Sequence, residues 1–122
     1  MTDSLNLLKG TVDVLILRAL EAEPRHGYGV AEWIDEVTDG TLLLEEGTLY
    51  PALHRLQRKR LVEAEWGLSE NNRKAKFYRL TPVGRKRLVR DTADWSRYAR
   101  AVGQALGVES GAEAAPEPEG SQ

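Results

Sequence analysis

The sequence predicts a mainly α fold with one small β-hairpin. Apolar residues recur with a helical period up to Arg60 and again after Thr81, and with a period of two between them. The last segment adds a heptad-like apolar seam, the pattern of a helix that packs along its length against another helix.

Residues 5–22 read as the first helix. Leu5, Leu8, Val12, Leu15, Ile16, Ala19 and Leu20 fall at helical spacing, and Val14 and Leu17 widen the stripe. A stripe this wide implies contacts on two sides, one within the domain and one with a partner subunit. Glu23-Pro24-Arg25-His26-Gly27 punctuates the chain. A second helix then runs to about Thr38, with Val30, Ile34 and Val37 inward and Glu32, Asp35 and Glu36 outward. Asp39-Gly40 stops it, since glycine readily takes the left-handed conformation that ends helices. Leu42, Leu43 and Leu44 form a short apolar linker.

The third helix begins near Gly47, which places Pro51 in its first turn, where a missing N–H costs nothing. On a 3.6-residue wheel Leu49, Leu53, Leu56 and Arg60 share one side, and Pro51, His54, Arg55 and Arg58 the other. One face is therefore core. The other, flanked by Thr48 and Tyr50 and basic towards its C-terminus, suits a polyanion. Glu45 and Glu46 are placed to stabilise the positive end of the helix.

After Arg60 the period becomes two. Val62, Ala64 and Trp66 share one strand face, and Tyr78 and Leu80 can share the same face of a second strand. Gly67 to Lys74 is the loop between them, with Asn71-Asn72 tolerating turn conformations. Arg73, Lys74 and Lys76 sit at the tip or on the descending strand, either as solubilising charges or as phosphate contacts. Thr81-Pro82 is an N-cap followed by proline at the first helical position, and the last helix runs to about Leu106. Leu88, Thr92, Trp95, Ala99, Val102 and Leu106 step by 4, 3, 4, 3 and 4, so self-association as a two-fold dimer is expected. The tail from Glu109 has no core-forming residue and is expected to be disordered.

The expected divisions are three helices and a hairpin over residues 1–81, a dimerisation helix over 82–108, and an acidic tail over 109–122. Charge follows the same division. Residues 1–46 carry three basic and ten acidic side chains (net −7), residues 47–90 twelve and three (+9), and residues 91–122 two and six (−4). The overall −2 thus hides a positive middle third, the electrostatic footprint of a phosphate-binding surface.

Four stretches, in order, resemble the PadR family of bacterial transcriptional regulators. They are Gly10-Thr11, His26-Gly27-Tyr28-Gly29, the run Gly47-Thr48-Leu49-Tyr50-Pro51-Ala52-Leu53-His54-Arg55-Leu56 with Leu61-Val62, and Tyr78-Arg79-Leu80-Thr81-Pro82-Val83-Gly84-Arg85. The resemblance runs from about Leu5 to Leu106. It implies a winged helix-turn-helix DNA-binding domain over residues 1–81 in a regulator that dimerises through its last helix and usually represses its target promoter, and it places Thr48, Tyr50, Pro51 and His54 in the DNA-facing set. The partner expected is double-stranded DNA bearing an inverted-repeat operator. Some PadR-like regulators hold planar aromatic compounds near the dimer interface, which makes Trp95, Tyr98 and Ala99 a candidate effector site. The simpler reading of Trp95 is that it fills the interface.

Other classes find little support. The chain has no cysteine, and His26 and His54 have no second histidine at ligand spacing, so neither a metal nor another cofactor is expected. No phosphate-loop or dinucleotide fingerprint occurs, and no serine has a base nearby in the sequence, so no catalytic residue is assigned. No apolar run approaches the ~18 residues of a membrane span, and Met1-Thr2-Asp3-Ser4 lacks a basic leader. A cytoplasmic protein is expected. The alternative in a different class is a winged-helix protein-interaction module that does not bind DNA sequence-specifically.

Overall fold

The computed structural model describes residues 2–108, with side chains from Gly10 onward. The expected disordered tail and the side chains of Leu5, Leu8 and Lys9 lie outside the described residues. The elements are α1 (Thr2–Ala19), β1 (Arg25–His26), α2 (Gly27–Val37), α3 (Glu46–Arg58), β2 (Val62–Leu68), β3 (Lys74–Leu80) and α4 (Pro82–Leu106). Two compact units divide between Val89 and Arg90.

In the first unit, three helices and the base of the sheet share one core. Ile16, Leu17 and Leu20 come from α1 and the turn after it, Val30 and Ile34 from α2, and Leu49, Ala52, Leu53 and Leu56 from α3. Val62, Tyr78 and Leu80 add the sheet, and Leu88 adds the first turns of α4. Each aliphatic side chain so buried contributes about 1.5–3 kcal/mol. Val37 departs from the expected inward set: it is exposed, because α2 ends there and the chain turns away. Leu44 from the linker, not Val37, packs against the core.

The helix ends follow from backbone hydrogen bonding. After α2 the Gly40 N–H donates to the Asp35 carbonyl (2.8 Å), with Asp39 (φ 52°) and Gly40 (φ 77°) both left-handed. After α3 the Leu61 N–H donates to the Leu56 carbonyl (3.0 Å) across Arg60 at φ 64°. Both are Schellman turns. The second rules out a place for Arg60 on the apolar side of α3: it lies past the helix, exposed, in a conformation strained for a residue with a Cβ.

Thr81 caps α4 as its sequence implies. Its hydroxyl accepts from the Gly84 N–H (2.9 Å) and donates to the Arg60 carbonyl (2.8 Å). A Cβ on Gly84 would collide with the Leu61 carbonyl oxygen, so glycine lets the start of α4 seat on the end of α3.

The sheet has the order β1-β3-β2, all antiparallel. Val62 faces Leu80 and Ala64 faces Tyr78, the expected register. The turn is Ser69–Arg73, shorter than expected, with Asn72 at φ 63°. β1 is an addition: the punctuating segment before α2 pairs Arg25 with Tyr78 and His26 with Phe77.

Candidate nucleic-acid interface

Helix α3 has the two faces its sequence implies. Leu49, Ala52, Leu53 and Leu56 are buried, while Gly47, Thr48, Pro51, His54 and Arg58 are exposed. Gly47, Pro51, His54 and Arg58 recur every three or four residues and form a single outward row. The helix starts at Glu46, so Pro51 lies beyond the first turn, where it cannot donate to the Gly47 carbonyl. Glu45 is the N-cap residue but makes no side-chain cap hydrogen bond, while Glu46 places a carboxylate in the first turn.

Arg55 does not join that row. Its Nη2 donates to Asp13 Oδ1 of α1 at 2.7 Å, and the two side chains are only 22% and 18% exposed. Its Nε is buried without a hydrogen-bond partner. At position 55 the wheel turns back towards α1, so the guanidinium meets a carboxylate of its own chain. Arg55 ties α3 to α1 rather than facing outward.

Tyr50 is 37% exposed and stands against the start of α2. A Cβ on Gly27 would lie 2.5 Å from its hydroxyl oxygen, so a larger residue there would displace the ring. His26 caps α2, its Nδ1 accepting from the Gly29 N–H at 3.0 Å. Its ring meets Phe77 edge-on, and its Nε2 lies 3.9 Å from a Glu70 carboxylate oxygen. The start of α2 is thereby fastened to the wing.

The wing has two electrostatically different faces. On one, Arg79 reaches Glu63 (2.9 Å) and Glu65 (3.7 Å), so its charge is locally matched. On the other, Trp66 lies opposite Lys76 and Leu68 opposite Lys74. The Lys74 and Lys76 ammoniums lie 5.6 and 5.9 Å from the Trp66 ring centroid. Two ammoniums ~7 Å apart would repel by about 0.6 kcal/mol in water. Each cation–π contact returns about 0.5–1 kcal/mol, enough to offset that repulsion.

Between the N-terminal ends of α2 and α3 and this face of the wing lies an open cleft of about 620 Å³. Tyr28, Tyr50, Trp66, Lys74, Lys76 and Tyr78 line it, with Glu32 and Glu70 also on its wall. Burial, and then the neighbouring Tyr50, hold the Tyr78 hydroxyl above its ordinary range, so it remains a proton donor. The structure thus brings Tyr50, Lys74 and Lys76 together, with Arg73 exposed in the adjoining turn. Tyr28, exposed in the cleft, and Trp66 are lining residues that the sequence does not single out as site residues. Trp66 reads there as a core-face strand residue, because alternation alone does not show where a strand leaves the core.

Residues 16–90 match the transcriptional regulator PadR-like family. The chain belongs to that family. Protein X of Lysinibacillus sphaericus is 31% identical over 97 residues, 80% of this chain and 89% of that protein. A PadR family transcriptional regulator from Eggerthella lenta is 31% identical in sequence, with a TM-score of 0.66 over 86% of this chain and 89% of that one. A transcriptional regulator from Clostridium thermocellum reaches a TM-score of 0.72 at 27% identity, covering 81% and 96% of the two chains. This PadR-like protein therefore carries the winged-helix fold of a transcriptional regulator, with β2–β3 as the wing.

The residues expected to hold an effector lie on α4 in the second unit. Trp95 and Tyr98 are exposed and Ala99 is half-buried. Trp95, Ala99, Val102 and Leu106 lie along the expected seam, and α4 closes on Gly107 at φ 77°, with the Val108 N–H donating to the Gly103 carbonyl (2.9 Å).

Proposed function

We propose that this PadR-like protein is a cytoplasmic homodimeric repressor that reads an inverted-repeat operator. Each protomer lays α3 in a major groove, with Thr48, Tyr50, Pro51, His54 and Arg58 against the DNA. Arg73, Lys74 and Lys76 of the wing hold the flanking backbone. Arg55 is withdrawn from the contact set, because Asp13 already occupies it. Residues 82–108 pair two protomers along the Trp95–Ala99–Val102–Leu106 seam, so half-sites stand about one helical turn (~34 Å) apart.

The observation that carries this reading is an exposed polar row on α3 together with a wing face whose two lysines share a cleft with Tyr50 of that helix, in a segment of net charge +9. An effector would enter at Trp95, Tyr98 and Ala99. A planar aromatic compound stacked on Trp95 would release the repressor if it favoured a spacing of the two α3 helices unlike that of the half-sites.

Fluorescence anisotropy on the intergenic duplex upstream of the protein's own gene, at two salt concentrations, tests the reading. Saturable binding with a dissociation constant of roughly 10⁻⁸ M or tighter, resistant to random competitor and weakened by salt, is expected. Binding no tighter than to random duplex would refute it, and would favour the protein-interaction alternative.

A further inference from the structure

We infer that Trp66 is a positioning residue for DNA binding: its indole holds Lys74 and Lys76 as a paired grip on successive phosphates of one strand. The inference rests on the DNA-binding reading above and gives a role to a side chain that reading leaves unused.

Three observations carry it. Trp66 is 61% exposed, on the part of β2 that has left the core, so packing does not account for a side chain of this size. Both ammoniums lie within 6 Å of its ring centroid, at 5.6 and 5.9 Å. The register places Trp66, Leu68, Lys74 and Lys76 on one wing face, the face that lines the cleft below α3.

The spacing fits the ligand. Alternate residues of a strand stand roughly 6.6–6.8 Å apart. That is close to the step between successive phosphates on a strand that winds around an axis advancing about 3.4 Å per nucleotide. Two lysines left to themselves at this spacing repel and wander through many rotamers. The negative face of the indole attracts both, so they meet the backbone together and lose less freedom on binding. On the opposite face Arg79 is matched by Glu63 and Glu65, which leaves the lysine face as the one suited to a polyanion.

The test uses the full chain and a random-sequence duplex of about 30 base pairs, since phosphate contacts carry no sequence information. Trp66→Leu keeps an apolar strand residue without a ring; Trp66→Phe keeps a ring. Trp66→Leu is expected to weaken binding roughly five- to tenfold and to lower the slope of log K against log salt by about 1–2, since each phosphate contact contributes ~0.9. Trp66→Phe is expected to stay within about twofold of wild type. In a Lys74→Ala/Lys76→Ala background, Trp66→Leu should have no further effect. Without DNA, the ε-methylene proton signals of Lys74 and Lys76 should be shifted upfield by the ring and lose that shift in Trp66→Leu. Normal wild-type binding with Trp66→Leu equal to it, or weaker at unchanged slope, overturns the role of Trp66 alone. Wild-type protein that ignores the duplex at low salt overturns the DNA-binding reading as well.

Discussion

Helices α3 and α4 are both amphipathic, but their apolar faces meet different fates. Leu49, Ala52, Leu53 and Leu56 of α3 are all at most 1% exposed, so that helix spends its apolar face inside its own unit and turns a polar row outward. Beyond Val89, α4 keeps Trp95 (45%) and Leu106 (71%) exposed on a heptad-spaced seam. An outward row of Gly, Pro, His and Arg, in a segment whose wing presents two lysines, suits a polyanion. A seam on which Trp95 and Leu106 are exposed and Ala99 and Val102 half-buried suits another apolar surface. In the proposed dimer, that difference separates the part of the chain that meets DNA from the part that meets a second copy.

The contrast can be broken most severely at Leu53. Leu53→Ala opens a cavity under α3 and is expected to cost about 2–5 kcal/mol of folding stability in a denaturant titration. Trp95→Ala should instead leave helix content intact and weaken the dimer by about 2 kcal/mol, roughly 30-fold in dissociation constant by analytical ultracentrifugation. Asp13→Ala strands the Arg55 guanidinium, whose Nε already has no partner, and should cost about 1–3 kcal/mol of stability. Arg58→Ala sharpens the comparison from the other side. It is expected to change stability by no more than about 0.5 kcal/mol, while weakening duplex binding several-fold and lowering the salt slope by about 0.9.

What the sequence reveals is what local chemistry decides. The buried face of α3 and the Thr81 cap follow from residues within a few positions of one another, and the wing register from alternation on two strands joined by a short turn. What it hides depends on distant pairing. Strand β1 is two residues long and exists because β3, some fifty residues later, offers it a ladder. Asp13 and Arg55 are 42 residues apart, so the wheel that puts Arg55 outside has no term for α1. The exposure of Trp66 depends on where the wing outruns the core, which alternation does not encode. Val37 fits an inward helical spacing, yet the helix ends beneath it.

Hydrogen–deuterium exchange of the full chain, free and with its upstream intergenic duplex, tests the division of labour most directly. At concentrations spanning the dimer equilibrium, residues 90–106 should gain protection as protein concentration rises, and gain nothing more from DNA once dimeric. Residues 46–58 and 73–76 should gain protection from the duplex alone. Protection of 90–106 only when DNA is added, or a recognition helix and wing indifferent to DNA, would contradict the account.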